Sequence, residues 1–420
     1  MARGADAALA TTAPGYLAYI PGGGLFATAI ADLVADVFNR YTGIFEAAPA
    51  LVGLENDVLS WLAAEFGYPP HAGGLFTSGG SLATFAAIVA AREERVGSTG
   101  DLRLAVGYAS TQAHASIAGA FQLAGLAPRN LRTVAVDPSF RLRPDRLRER
   151  VREDRARGLN PFIVIASAGT TNTGAIDPLP ELAAVCEEER LWLHIDGAYG
   201  GAFVLCEEGR RRLAGIERAN SIAFDPHKGL FLPYGTGCLL LRDGARSLGV
   251  PAGDDSYLRD VRTGLREPGS ASPADHGLEL SRPYRGLRLW LPLMLHGAGP
   301  FREALAEKLA LADALHRGLE ELASHGLPIE ILAAPQLTVV PFRLGRRPGE
   351  AIEGWNARNA AFLVAINQRG RCFLSSTLAP VDDGDAFTLR PCVLSFRTHA
   401  RHIDHCLEDV RLAARAEVSS

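Results

Sequence analysis

Only two lysines, Lys228 and Lys308, stand among 43 basic residues; the rest are arginine. Arginine stays protonated at any working pH, whereas a partly desolvated lysine amine can shed its proton and attack a carbonyl. Lys228 lies in Asp225-Pro226-His227-Lys228-Gly229, after the apolar residues 222–224 and before a glycine-rich stretch, 229–237, that contains Pro233. That pattern puts one amine where a strand ends and a loop begins; a solvated loop lysine would carry the same local signature. Upstream, Leu191-Trp192-Leu193-His194-Ile195-Asp196 reads as a buried strand with an acid at its carboxyl end. Burying that acid calls for a partner. A protonated pyridine nitrogen would serve, with small Ala198 leaving room for a flat ring; an aspartate capping the next turn is the alternative.

These strand ends need a scaffold. Strand-like runs at 104–108, 131–136, 162–166, 191–196, 222–224 and 237–242 are interleaved with helical spacing at 82–92 and 144–157 and a helix opening at Asp177-Pro178-Leu179. Two further helices, 25–38 and 54–66, precede them. Such alternation implies a mainly parallel sheet with crossover helices and active groups gathered at strand ends. Gly79-Gly80-Ser81 opens the helix at 82–92, and small residues there let backbone N–H groups approach a phosphate. Beyond residue 300, helices at 301–324, 353–367 and 403–414 alternate with strands expected at 337–342, 372–376 and 393–396, which reads as a small α+β domain. Residues 243–286 show little apolar periodicity and suggest a lid or partner contact. Residues 1–15 read as a frayed terminus.

A chain of 420 residues exceeds one ordinary core. The expected division is an amino-terminal segment 1–45, a large domain 46–300 and a small domain 301–420. With 47% hydrophobic and 21% charged residues it is an ordinary globular composition. A net charge of -4 and a pI near 6.3 give no reason to invoke nucleic acid or an anionic membrane. The six cysteines are scattered without a Cys-x-x-Cys pair, so neither a metal site nor a disulfide framework is expected. Scattered thiols, no leader-like start and no membrane-length apolar run together favour a cytoplasmic enzyme.

The ordered motifs resemble the group II pyridoxal-phosphate-dependent amino-acid decarboxylases, the family of aromatic-amino-acid, glutamate and histidine decarboxylases. His194-Ile195-Asp196-Gly197-Ala198-Tyr199 and Asp225-Pro226-His227-Lys228 carry the resemblance. Leu17-Ala18-Tyr19, Ser78-Gly79-Gly80-Ser81, Gln112-Ala113-His114, Gly169-Thr170-Thr171 and Arg288-Leu289-Trp290 fall in the family's order. The resemblance implies an α/β, aspartate-aminotransferase-like fold (fold type I), with a mainly parallel seven-stranded sheet in the large domain. It implies that Lys228 carries pyridoxal 5'-phosphate and that Asp196 holds the ring nitrogen protonated. His114 and Ala198 would flank the ring, Thr171 would bond its phenolic oxygen, and Gly79, Gly80, Ser81, Asp225 and His227 would complete the cofactor site. The catalytic set is then Lys228, His114, His227 and Asp196, with both histidines near the substrate carboxylate. Tyr19, Pro21, Gly22 and Gly23 would line the substrate pocket, with Phe45 reaching it from the partner subunit of a homodimer. Three consecutive glycines, Gly22-Gly23-Gly24, would make that wall roomy or present backbone N–H groups.

The expected reaction is decarboxylation of an aromatic or other apolar L-amino acid to the amine and carbon dioxide. Counted back from Arg288-Leu289-Trp290, the loop tyrosine that protonates Cα in many relatives is Pro273 here, and neither Tyr257 nor Tyr284 is in register. His114, His276 or water would supply the proton, or the carbanion would meet oxygen and give an aldehyde and ammonia. Asp225 and Gly229 also depart from residues common in relatives. A lyase cleaving Cα–Cβ and a catalytically silent binding protein are the remaining alternatives.

Overall fold

The central apolar runs become strands buried on both faces, as helices covering each side of a sheet require. The computed structural model describes residues 8–244 and 272–419. Helices α1 (Phe26–Phe38) and α2 (Pro49–Glu65) lead into β1 (Gly73–Thr77), then α3 (Gly80–Arg95), β2 (Ala105–Ser110), α4 (Ser116–Leu123) and β3 (Leu131–Val134). There follow α5 (Pro144–Ala156), β4 (Asn160–Ser167), α6 (Leu179–Glu188), β5 (Trp192–Gly197), β6 (Ser221–Phe224) and β7 (Gly237–Leu241). The seven strands form one sheet in the order β1-β7-β6-β5-β4-β2-β3. Strands β2 to β6 run parallel, and β7 is antiparallel to both its neighbours, β6 and β1. Ser167 pairs with Asp196 and Asp196 with Ala223, so β4, β5 and β6 end together at one edge.

The carboxyl-terminal part holds α7 (Gly286–His296), α8 (Gly299–Ser324), β8 (Ile329–Ile331), β9 (Phe342–Leu344), α9 (Ile352–Asn367), β10 (Ser375–Val381), β11 (Gly384–Arg390) and α10 (Ala400–Ser419). Its antiparallel sheet, ordered β10-β11-β9-β8, differs from the expected strands. The apolar residues around 337–340 and 392–394 are buried but irregular, joined by backbone bonds from Val340 to Pro391 and Val393 to Thr338. Leu337, Val339, Cys392 and Leu394 point into the core of the large sheet, while Val340 and Val393 point into that of the small one. Their hydrophobicity serves a seam between two cores.

Residues 14–17, partly within the stretch expected to fray, are tied down. Tyr16 bridges to Phe373 and stacks on its ring, the Leu17 N–H bonds the Phe373 carbonyl, and the Thr398 hydroxyl bonds the Pro14 carbonyl. Most of the expected lid, including Tyr257, lies outside the described residues. Its described end is structured: Pro273 opens a helical turn, Pro273–His276, whose Ser272 and Asp275 cap each other's backbone. Ser272 also accepts the Phe45 N–H at 2.9 Å, docking this turn on residues 43–45 of the same chain.

Candidate active site

At the shared carboxyl edge of β4, β5 and β6 opens a cavity of about 230 Å³. Gly79, Gly80, Ser81, His114, Thr171, Asp196, Ala198, Asp225, His227 and Lys228 line it, with Ser116, Ser167, Gly169, Thr170 and Tyr199. All ten residues expected to hold a cofactor therefore face one space.

Lys228 stands on the helical turn Pro226–Gly229, whose preceding residue is Asp225. Its Nζ meets Asp225 Oδ2 at 2.9 Å while a quarter of the side chain stays exposed. Asp225 is buried, and its Oδ1 has no hydrogen-bond partner. That carboxylate lies beside the first residue of α3: a Cβ at Gly80 would come within 3.2 Å of Asp225 Oδ2 and 2.8 Å of the Ala198 Cβ. Only glycine fits at 229, where a Cβ would stand 2.3 Å from that of Ala202. Close packing of the turn on the segment after β5 thus accounts for this departure from the family pattern.

Asp196, the last residue but one of β5, is half-buried, with Oδ1 accepting the Ala198 N–H at 3.1 Å. His227 donates Nδ1–H to the Thr236 carbonyl at 2.7 Å, which leaves Nε2 facing Asp225 Oδ2 at 3.7 Å. Burial pulls the His227 pKa below its ordinary value, against the raising influence of Asp225. Arg288, from the Arg-Leu-Trp motif, ties down the loop that holds this histidine, with Nη1 on Thr236 Oγ1 at 3.0 Å and Nε on Asp32 Oδ1 at 2.6 Å. His114 Nδ1 accepts the Ser116 N–H at 3.2 Å and lies 2.7 Å from its hydroxyl, so the ring proton resides on Nε2.

Tyr19, Pro21, Gly22, Gly23 and Phe45 do not line this cavity within the single chain. The glycines serve close packing: a Cβ at Gly23 would stand 2.2 Å from the Phe231 backbone, and one at Gly22 2.9 Å from the Tyr234 ring. Tyr234 in turn meets His227, ring centroids 5.6 Å apart.

Sequence reading missed several supporting residues. Asp177, read as a helix start, is a buried carboxylate accepting the N–H groups of Leu142 and Ser167, both at 2.7 Å, and burial pushes its pKa up to about 6. It anchors the end of β4 just before the Gly169-Thr170-Thr171 turn. Arg390, buried at the end of β11, donates to the carbonyls of Thr171 and Tyr19 and so joins the cavity wall, the small sheet and the amino-terminal segment. The Tyr199 hydroxyl lies 2.5 Å from Thr338 Oγ1 and accepts the Thr338 N–H at 2.8 Å. An Asp-Pro pair after a turn was a visible cue for Asp177; nothing local marked Arg390 or Thr338.

The pyridoxal-dependent decarboxylase conserved domain matches residues 7–345. Aromatic-L-amino-acid decarboxylase of Bacillus atrophaeus is 33% identical over 406 residues, covering 97% of this chain and 82% of its own. Oryza sativa TDC, solved with PLP and tryptamine, shares 27% identity and a TM-score of 0.87, over 97% of this chain and 84% of its own. Rhodiola rosea 4-hydroxyphenylacetaldehyde synthase shares 25% identity and a TM-score of 0.82, over 97% and 85%.

Proposed function

The chain belongs to the pyridoxal-dependent decarboxylase family, and from that premise we propose that it removes the carboxylate of an aromatic L-amino acid as carbon dioxide and releases the amine. Its cofactor is pyridoxal phosphate. One observation carries the choice of substrate: among the described residues Lys228 is the only lysine or arginine lining the cavity, and Asp225 already pairs with it. Among the described residues no guanidinium lines the cavity to meet a side-chain carboxylate, which disfavours acidic amino acids.

The residues present fit the cofactor. Lys228 would hold it through Nζ, and Gly79 and Gly80 leave the start of α3 open to a phosphate. When bound, pyridoxal phosphate supplies the sink for the electron pair left on Cα as carbon dioxide departs. Asp196, fixed by the Ala198 N–H, would keep a proton on the ring nitrogen. Thr171 would meet the ring's phenolic oxygen. His114 would lie over the ring, with Nε2–H free to return a proton to Cα. Ser81, Asp225 and His227 would complete the phosphate end, where Lys228 offsets the negative charge of Asp225.

The same reading retains the three-part division of the chain at about residues 45 and 300, the second of which the separate sheets support. It also retains a homodimer with the active site at its interface, where Tyr19, Pro21, Gly22, Gly23 and Phe45 would meet substrate. Support comes from α1, which exposes Phe26 by 75%, Leu33 by 60%, Val37 by 73% and Phe38 by 61%, with Met294 and Leu295 also exposed on the adjoining α7. Sedimentation at micromolar concentration should give twice the mass of the chain; a monomer would refute the dimer. Among the described residues no helix is long and apolar enough to cross a membrane, which is compatible with the cytoplasmic assignment.

A second product is favoured by one feature. Pro273 is buried in its helical turn and brings no phenol, and phenylacetaldehyde synthase of Petunia hybrida is 30% identical over 416 residues. An amino-acid panel scored for carbon dioxide, amine, aldehyde and oxygen uptake tests both readings. Carbon dioxide from aromatic substrates is expected, matched by the sum of amine and, in air, a smaller share of aldehyde. Turnover confined to acidic amino acids would sink the assignment.

A further inference from the structure

A second cavity opens at the opposite edge of the large sheet. It measures about 400 Å³, and Arg95, Arg190, Arg218, Arg242 and Asn220 line it over a floor that includes Cys186. Distant stretches of chain meet there: the carboxyl ends of α3 and α6, the start of β5, the residue before β6 and the residue after β7. Among the described residues the only acid in its lining, Glu187, is taken by Arg218 through both carboxylate oxygens, at 3.3 and 2.8 Å. Arg95 pairs with its neighbour Glu94 at 3.2 Å, and as the last residue of α3 it also suits the negative end of that helix. Those two arginines have a structural explanation.

Arg190 and Arg242 do not. Among the described residues neither makes an ion pair; Arg242 donates one bond, to the Glu217 carbonyl at 3.1 Å, and the Arg190 guanidinium donates none. Asn220 accepts the Leu193 N–H through Oδ1 at 2.8 Å, which orients its NH2 as a further donor. The wall therefore presents donors whose acceptors are missing or spent. Burial also pulls Arg95 below its ordinary pKa, a sign that positive charge is poorly solvated there. We propose that this cavity binds a small multivalent phosphate anion, held by the Arg190 guanidinium and by the Arg242 donors not spent on the Glu217 carbonyl. Planar forks meet phosphate oxygens in pairs, and convergent arginines select charge beyond one. Helix α3 spans the distance between the two cavities, since Gly80 and Ser81 line the first and Arg95 lines the second.

Titration calorimetry with inorganic pyrophosphate tests this on the holoenzyme, whose own phosphate site is already filled. Saturable binding is expected at low ionic strength, weakening as sodium chloride is added. The exposed pair Arg190→Glu and Arg242→Glu, combined, should weaken it about tenfold or more, a change of about 1.4 kcal/mol, with decarboxylation in the absence of pyrophosphate unchanged. No saturable binding at millimolar pyrophosphate would overturn the proposal, as would equal affinity in the double variant.

Discussion

The two lysines occupy opposite environments although both are ion-paired. Lys228 meets Asp225 at 2.9 Å with a quarter of its side chain open to the cavity. Lys308, on α8, has no exposed side-chain surface and meets Glu307 at 2.8 Å and the Thr398 carbonyl. Glu307 also lies 2.8 Å from His399 Nδ1, and Thr398 holds the Pro14 carbonyl, so Lys308 is the centre of a clasp between α8, the start of α10 and the amino-terminal segment. Burial lowers the Lys308 pKa, which in isolation would favour a nucleophile. Without access, a lowered pKa has nothing to attack. The difference teaches that reactivity here depends on an opening beside the amine, more than on the ion pair that each lysine makes.

The sharpest way to break this contrast is to remove each amine. Lys228→Ala should abolish borohydride-trapped cofactor and lower turnover by about a thousandfold or more; label persisting at normal yield would contradict its assignment. Asp196→Ala should keep the trapped label yet slow turnover by about a hundred- to thousandfold, since a fixed electrostatic partner is lost. Near-normal rates would mean that Asp196 has no role at the ring. Lys308→Met should leave label and rate intact while lowering unfolding free energy by about 1–3 kcal/mol, because the Thr398 carbonyl stays buried without its donor. Urea denaturation measures this, and loss of label instead would erase the distinction. The subtlest test is alkaline. Folded Lys308 binds its proton less tightly than the unfolded chain does, so between its lowered pKa and about 10.4 the unfolded state carries more protons and stability rises with pH. Lys308→Met should flatten that rise relative to the parent protein; identical slopes would mean that burial does not shift this amine.

Strands β4, β5 and β6 were legible in the sequence because each is a short, nearly continuous apolar run, the pattern of a strand covered on both faces. The small sheet was not. Strand β10 leaves Leu378 55% exposed and contains Pro380, so its sequence has weak strand character. The stronger apolar runs nearby went to the seam between the two cores. Hydrophobicity reports burial, and burial without a ladder looks the same in one dimension.

The gathering of the ten residues expected to hold a cofactor followed from motifs that each sit at a strand end or helix start, so a parallel sheet brings them to one edge whatever its finer packing. The supporting contacts could not be read that way. Arg390 on Thr171, Tyr199 on Thr338 and the shared cavity that Arg95 and Arg242 line bring together residues far apart in the chain, and which of them come together is set by how helices and sheets pack. Amino-acid order alone thus determined the reactive groups and the edge they share. The folded chain decided which amine stays reachable and which arginines are left without an acid, because access and pairing are properties of space between segments.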